Sequence, residues 1–371
     1  MNETLPRLIA VRWRPFRLPL RHRFEAAHSV LADREGVLLE LHSADGAVGI
    51  GEASPFPALG DGTVTDVLAL LDARGDALLI DPAPEALPVR GPGVAALRCA
   101  LDVALLDLEA RRQGATLSAL LSSAPLDHVM VNAVIGSGTA EVMGAFAAEA
   151  IAAGYGTIKV KVGAGSIDDD IARIEGLRAQ FPNVAIRLDA NGAWSEVQAR
   201  EALERLMPLH IELIEQPVAG TDLDALKRLK WDDIGRIAAD EAISDEESAL
   251  KVLSGGAADL LVLKPMRLGG VRPALAIARR AARTGVGCFV TTTFDSSIGT
   301  ALALHLAVAL PSTLVAHGLS TGEHLAADIV DEPLLPTEGR MEVPQRPGLG
   351  VEVDAGALDT LATWPWMERR G

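Results

Sequence analysis

Lysines and carboxylates sit inside or at the ends of five apolar runs. These are Ile158-Lys159-Val160-Lys161-Val162, Ile186-Arg187-Leu188-Asp189-Ala190-Asn191, Leu213-Ile214-Glu215-Gln216-Pro217, Ile237-Ala238-Ala239-Asp240-Glu241 and Leu261-Val262-Leu263-Lys264-Pro265. Asp189, Glu215 and Asp240 each close a run that otherwise belongs in a core. A buried carboxylate must be protonated, paired or bound to a cation. Three on neighbouring strands repel one another unless a divalent ion lies between them. All-oxygen ligation with no cysteine or histidine at ligand spacing favours Mg²⁺, or Mn²⁺, over zinc. The competing arrangement is a ring of salt bridges with Lys159, Arg187 and Lys264. Lys159 and Lys161 lie two apart and so share one face of a strand. Beside a dication, desolvation and like charge would depress their pKa values and make a usable base. Lys264 could face the same cavity from the other side. Such a layout suits removal of a proton next to a carboxylate, with the charge that develops neutralised by the metal.

The spacing says what must hold these groups. Lys161 to Asp189 is 28 residues, and the following steps to Glu215, Asp240 and Lys264 are 26, 25 and 24. One strand, one helix and two short loops take about that many residues, so each unit would deliver one group at a strand's C-terminal end. Beyond residue 128, strand-like and helix-like segments alternate, with strands near 130, 160, 187, 213, 237, 262, 290 and 315. That is an α/β chain of the barrel kind rather than a doubly wound sheet. Upstream, 37–42 and 47–52 read as a hairpin about Asp45-Gly46, and 93–113 as a helix closed by Gly114. The polar stretch Leu20–Ala32 reads as a connector or a lid. A proline-containing break at 122–126 places the domain boundary, and 347–353 reads as a last strand rejoining the N-terminal part.

Composition narrows the partners. A formal charge of −16 on 371 residues argues against nucleic-acid or anionic-membrane surfaces. Any anionic substrate must be drawn in by a local cluster of cations. Two cysteines, Cys99 and Cys288, in apolar settings fit a reducing cytoplasm. No signal-peptide core and no apolar run of roughly 18–20 residues is present, so a soluble protein is expected.

Taken together, these segments resemble the enolase superfamily, in its muconate-lactonizing-enzyme-like branch. Lys159-Val160-Lys161 resembles the family's Lys-x-Lys motif. Asp189-Ala190-Asn191, Glu215-Gln216-Pro217 and Asp240-Glu241 resemble its three metal-ligand segments, and Lys264-Pro265 its opposite lysine. Gly49-Ile50-Gly51-Glu52-Ala53, the helix from Ala96 to Gly114, and Pro347-Gly348-Leu349-Gly350 resemble the capping hairpin, capping helix and closing segment.

The resemblance implies a modified TIM barrel, (β/α)7β, over 126–344. An α+β capping domain would be built from 1–125 and the returning 345–371. It also implies a small carboxylate substrate, Mg²⁺ held by Asp189, Glu215 and Asp240, Lys161 as base, Lys264 as the opposing cation and Lys159 as helper; a homo-oligomer is compatible with it. Asp295-Ser296-Ser297-Ile298-Gly299, Gly318-Leu319-Ser320-Thr321 and Arg187 resemble segments of the branch's o-succinylbenzoate synthases. Ser320 stands where many of those enzymes have an acid. No Asp-x-Asp pair of the epimerase kind ends the eighth strand. The implied reaction is dehydration of a succinyl-hydroxycyclohexadiene carboxylate to o-succinylbenzoate, a step in menaquinone synthesis. Substrate contacts would come from Arg187, Asn191, Ser296, Ser297, Gly318, and from Phe24 and His28 on the 20–32 segment, which on this resemblance reads as a lid. The alternatives within the branch are N-acylamino acid racemase, dipeptide epimerase and muconate-type cycloisomerase.

Overall fold

The computed structural model describes residues 7–26, 29–136, 138–311 and 315–371, without the side chains of 24–26 and 29–30. β1 (Leu8–Ala26) and β2 (Ser29–Ser43) form a long antiparallel hairpin, and β3 (Val48–Ala53) adds to β2. The 20–32 segment is thus the far end of this hairpin and not an irregular connector. Its register slips between Pro19 and Phe24. Arg21, His22 and Arg23, three consecutive exposed polar residues, offer no alternation to betray the strand.

Helices α1 (Val64–Ile80) and α2 (Val94–Gln113) cover the sheet. The Gly49-Ile50-Gly51 sequence has a steric cause. A Cβ on Gly49 would stand 2.0 Å from the Ala104 carbonyl oxygen, and one on Gly51 2.1 Å from that of Ala100. The helix backbone therefore lies directly on the strand, and Asp107 Oδ2 accepts the Ile50 N–H at 2.9 Å.

After the short α3 (Leu117–Leu121) come β4 (His128–Met130), β5 (Ala133–Ile135), α4 (Ala140–Ala152), β6 (Thr157–Lys161), α5 (Ile167–Gln180), β7 (Ala185–Asp189), α6 (Glu196–Leu206), β8 (Ile211–Glu215), α7 (Leu223–Trp231), β9 (Ile237–Ala239) and α8 (Glu246–Gly255). β10 (Leu260–Leu263), α9 (Pro265–Leu268), α10 (Val271–Arg283), β11 (Gly287–Val290) and α11 (Ser297–Val308) complete the run. β5 to β11 form one parallel sheet in sequence order. His317 and Gly318 bridge its two edges, pairing in parallel with Val131 and Thr291. The eighth strand expected near 315 is reduced to these bridges. The strands are apolar because helices cover them outside and side chains fill the lumen. Caps such as Ser195 with Gln198, and Asp245 with Ser248, restart the helix after a strand's loop.

In the tail, β12 (Arg340–Glu342) pairs with β4, α12 (Ala355–Leu361) follows, and β13 (Met367–Arg370) pairs with β1. The strand that rejoins the N-terminal sheet is β13, not 347–353. That earlier segment docks instead through single contacts: Leu349 N–H donates to Asp107 Oδ1 at 2.7 Å, and its carbonyl lies 3.0 Å from His305 Nε2. His305 is core, with Nδ1 accepting the Ser118 N–H at 3.1 Å. No helix among the described residues is long and apolar enough to cross a membrane.

Candidate active site

Parallel register brings the charged groups together. Lys161 pairs with Asp189 and Asp189 with Glu215, so three neighbouring strands end at one level. Asp240 and Lys264 immediately follow β9 and β10. Asp189, Glu215 and Asp240 are each 1 % exposed. Lys159 Nζ stands 2.8 Å from Asp189 Oδ2 and 2.7 Å from Glu215 Oε1. Lys161 Nζ donates to Asp189 Oδ2 at 2.6 Å and Asn191 Oδ1 at 2.7 Å, and Lys264 Nζ to Asp240 Oδ1 at 2.6 Å.

Two strained residues complete the rim. Asn191 (φ +46°) and Gln216 (φ +40°) turn the chain just after β7 and β8 in a region costly for side-chain-bearing residues. Asn191 thereby bridges Lys161 and Glu241, donating from Nδ2 to Glu241 Oε1 at 2.8 Å. Gln216 Oε1 accepts the N–H groups of Asp240 (2.9 Å) and Ala242 (3.2 Å), pinning the loop that carries the third acid.

The electrostatics follow from burial and pairing. Burial would raise Asp189, but the ammonium groups of Lys159 and Lys161 outweigh it and hold the carboxyl far below its usual range. Asp240 is likewise held low by Lys264 against its burial. Burial and then the nearby Asp189 charge push Glu215 up to about 8, and burial with Asp240 pushes Glu241 up to about 7. Burial disfavours the Lys159 charge, yet Asp189, Glu215 and Asp240 drive its pKa upward; Lys264 is raised the same way by Asp240 and Glu241. For Lys159 the shift runs opposite to the depression expected beside a dication. The sign depends on what neutralises the acids, and here the ammonium groups themselves do so.

Above this rim lies a pocket of about 850 Å³ including its open mouth. Lys159, Lys161, Asp189, Asn191, Glu241 and Lys264 form its polar end. Leu31 of β2, with Phe56 and Leu59 of the segment that follows β3, joins Thr291–Phe294 in its lining. Glu215 and Asp240 stand at its floor, against the lysines. The other sequence-derived candidates are placed elsewhere. Arg187 pairs in register with Lys159, one inward position below Asp189. Its guanidinium donates to Glu212 Oε2 at 2.5 Å and to the Ala316 carbonyl at 2.6 Å, and lies over the Phe289 ring. It is therefore not brought to the pocket.

Ser296 and Ser297 are buried, and their hydroxyls are spent on Glu52 and Asp328. Gly318 contributes backbone, its carbonyl accepting the Thr292 N–H at 3.0 Å. Phe24 pairs with Leu31 through the hairpin backbone, and His28 lies outside the described residues.

Two family descriptions match the chain: "Mandelate racemase / muconate lactonizing enzyme, N-terminal domain" over residues 9–122, and "Enolase C-terminal domain-like" over 142–357. The chain belongs to the enolase superfamily. An o-succinylbenzoate synthase of Thermobifida fusca is 37% identical over 66% of this chain and 78% of its own length. Among solved structures, muconate lactonizing enzyme from Pseudomonas fluorescens, complexed with muconolactone, superposes with a TM-score of 0.91 and 27% identity, covering 97% of this chain and 100% of that one. A dipeptide epimerase from Enterococcus faecalis, complexed with Mg and L-Leu-L-Tyr, has a TM-score of 0.87 and 28% identity over 93% and 99%. Relatives within this superfamily thus catalyse different reactions on one scaffold.

The acids can be tested against the metal that such a relative holds. Asp189, Glu215 and Asp240 offer only oxygen donors, as a hard dication requires. Glu215 Oε2 is buried with no hydrogen-bond partner among the described residues. The set fits by donor type, and its three acids stand at the ends of neighbouring strands. Among the described residues no three acidic or imidazole groups stand at ion-holding geometry; Lys159 and Lys264 pair with Asp189 and Asp240 at 2.8 and 2.5 Å. Gln216, Glu241 and the wall residues Phe56, Leu59 and Thr291–Phe294 had no role in the sequence reading. For Gln216 and Glu241 the signal was there, since each polar side chain directly follows an expected ligand within its segment.

Proposed function

We propose that this superfamily member is an o-succinylbenzoate synthase, dehydrating 2-succinyl-6-hydroxy-2,4-cyclohexadiene-1-carboxylate to o-succinylbenzoate in menaquinone biosynthesis. The carrying observation is that Lys161 and Lys264 line one pocket with three buried acids between their strands. The substrate assignment draws its support from the Thermobifida relative. The working unit is a barrel domain, 126–344, capped by 1–125 and 345–371. A reducing cytoplasm suits its two buried, unpaired thiols.

Lys161 acts as the base. Its Nζ is aimed by Asp189 and Asn191, and as a free amine it takes the proton beside the substrate carboxylate. The same ammonium then gives that proton to the departing hydroxyl, so water leaves and the ring becomes aromatic without net proton change. Lys264 presents positive charge from the other side, and Lys159 balances the acids. Mg²⁺ held by Asp189, Glu215 and Asp240 would supply Lewis-acid neutralisation of the charge developing on the carboxylate.

A second reading has its own observation: lysines from two different strands reach the pocket, which is the layout for two-base racemisation or epimerisation. One assay separates them. In deuterated buffer, the cyclohexadiene substrate is converted, the rate vanishes with EDTA, and Mg²⁺ restores it. Racemisation and deuteration of N-acyl amino acids or dipeptides, with no turnover of the hydroxy acid, would overturn the synthase assignment.

A further inference from the structure

We propose that Arg34 is a positioning residue that sets the width of the substrate pocket by gripping both of its side walls from behind. The inference rests on the reading of this pocket as the substrate site. Arg34 lies on β2 and is 3 % exposed. Its Nε donates to the Thr293 carbonyl at 2.9 Å, Nη1 to the Pro55 carbonyl at 2.5 Å, and Nη2 to the Ser54 carbonyl. Its Cζ also stands 5.1 Å from the centre of the Phe56 ring. One guanidinium thus holds the segment presenting Phe56, Ala58 and Leu59 and the segment presenting Thr291–Phe294.

Two observations show that the walls need this clamp. Phe294 has φ +61°, a conformation that side-chain-bearing residues keep only when their surroundings impose it. Part of those surroundings comes from the N-terminal sheet. Arg34 holds Thr293 and stands 3.6 Å from Asp295, while Glu52 accepts the N–H groups of Ser296 and Gly299 at 3.2 and 2.9 Å. In addition, a second cavity lies behind the other wall, lined by Arg34, Pro55, Phe56, Pro57, Thr63 and Val64. That wall has room to relax, so polar contacts rather than close packing fix it. Arginine suits the task because its planar fork reaches carbonyls in several directions at once, whereas an ammonium is a single point. Arg34 touches none of Asp189, Asn191 and Asp240, which hold the reacting lysines.

The test compares wild type with Arg34→Lys and Arg34→Met in the full chain, by hydrogen–deuterium exchange and by steady-state kinetics on the cyclohexadiene substrate. Exchange should quicken about tenfold in peptides covering both 54–60 and 290–297, and stay unchanged in β6–β8. KM should rise about tenfold with kcat within about threefold of wild type, because the reacting end is untouched. A change in only one wall, exchange quickened throughout the chain, or a fall in kcat at constant KM would overturn the proposal. If Arg34→Met does not fold, Arg34→Lys decides alone. If wild type converts neither the cyclohexadiene nor N-acyl amino acids, the functional reading fails, and exchange still decides whether one residue holds both walls.

Discussion

Inside the barrel two charged layers lie one above the other, with Arg187 two residues before Asp189 on β7. The upper one holds Lys161, Asp189, Glu215, Asp240 and Lys264; the lower one centres on Arg187 with Glu212, Asn132 and the Ala316 carbonyl. In the upper layer each charge meets another across the floor of an open pocket. In the lower layer the guanidinium is pinned by backbone and laid on an aromatic ring. Two residues along β7 amount to about 6.6 Å of depth and separate Asp189 from Arg187, yet Lys159, level with Arg187, reaches the pocket on its flexible stem. A charge close in sequence to a catalytic motif is thus no guide to its role until its partners are known.

The largest expected contrast is kinetic. Lys161→Ala should lower kcat by about a thousandfold or more, while melting shifts little, since Asp189 keeps Lys159 as its partner. Arg187→Met should do the reverse. It strands the buried Ala316 carbonyl and the Asn132 amide oxygen, so urea unfolding should show a loss of about 2–4 kcal/mol. A tenfold fall in kcat/KM without loss of stability would instead make Arg187 a substrate contact and erase the contrast between layers.

A dication should stabilise only through the upper layer. At about a hundred times its dissociation constant, Mg²⁺ should add about 2.7 kcal/mol, read as a rise in melting temperature. The rise should vanish in Asp240→Asn; an equal rise there would remove this acid from the ligand set.

Two buried histidines should answer to acid: His317 beside the lower layer, and His305 on α11 against the α3 segment. Burial, and secondarily the Arg187 charge, depress His317 to about 3, and burial depresses His305 to about 4. Both stay neutral in the fold while the unfolded chain takes up protons from about pH 6.5. The unfolded state then binds more protons, so stability falls as pH drops through that range, by about 2 kcal/mol per histidine at pH 5. His305→Gln should flatten the slope between pH 7 and 5 in urea titrations. An unchanged slope would mean that His305 is protonated in the folded protein.

Legibility followed the range of the interactions. Strand–helix alternation, the position of each charged group at a strand end and the glycine pair of the capping hairpin all leave local marks. The far end of the β1–β2 hairpin leaves none, because Arg21, His22 and Arg23 are consecutive exposed polar residues. β13 was equally hidden: Met367-Glu368-Arg369-Arg370 reads as a polar tail and becomes a strand only beside β1. The serines at 296 and 297 looked free for a ligand. Their partners, Glu52 and Asp328, are 244 and 31 residues away.

By itself the sequence determined that acids and lysines end successive buried strands, because a period of about 25 residues and an apolar context are local properties. Family membership followed from the same order of segments. Only the tertiary structure decided which charges share a pocket, because strand depth and sheet register place side chains to within an ångström and no spacing along the chain does. It also decided that the apolar walls come from two segments more than 230 residues apart, held by one arginine on β2. Such a contact arises from docking the N-terminal sheet on the barrel, and nothing near Arg34 in the chain announces it.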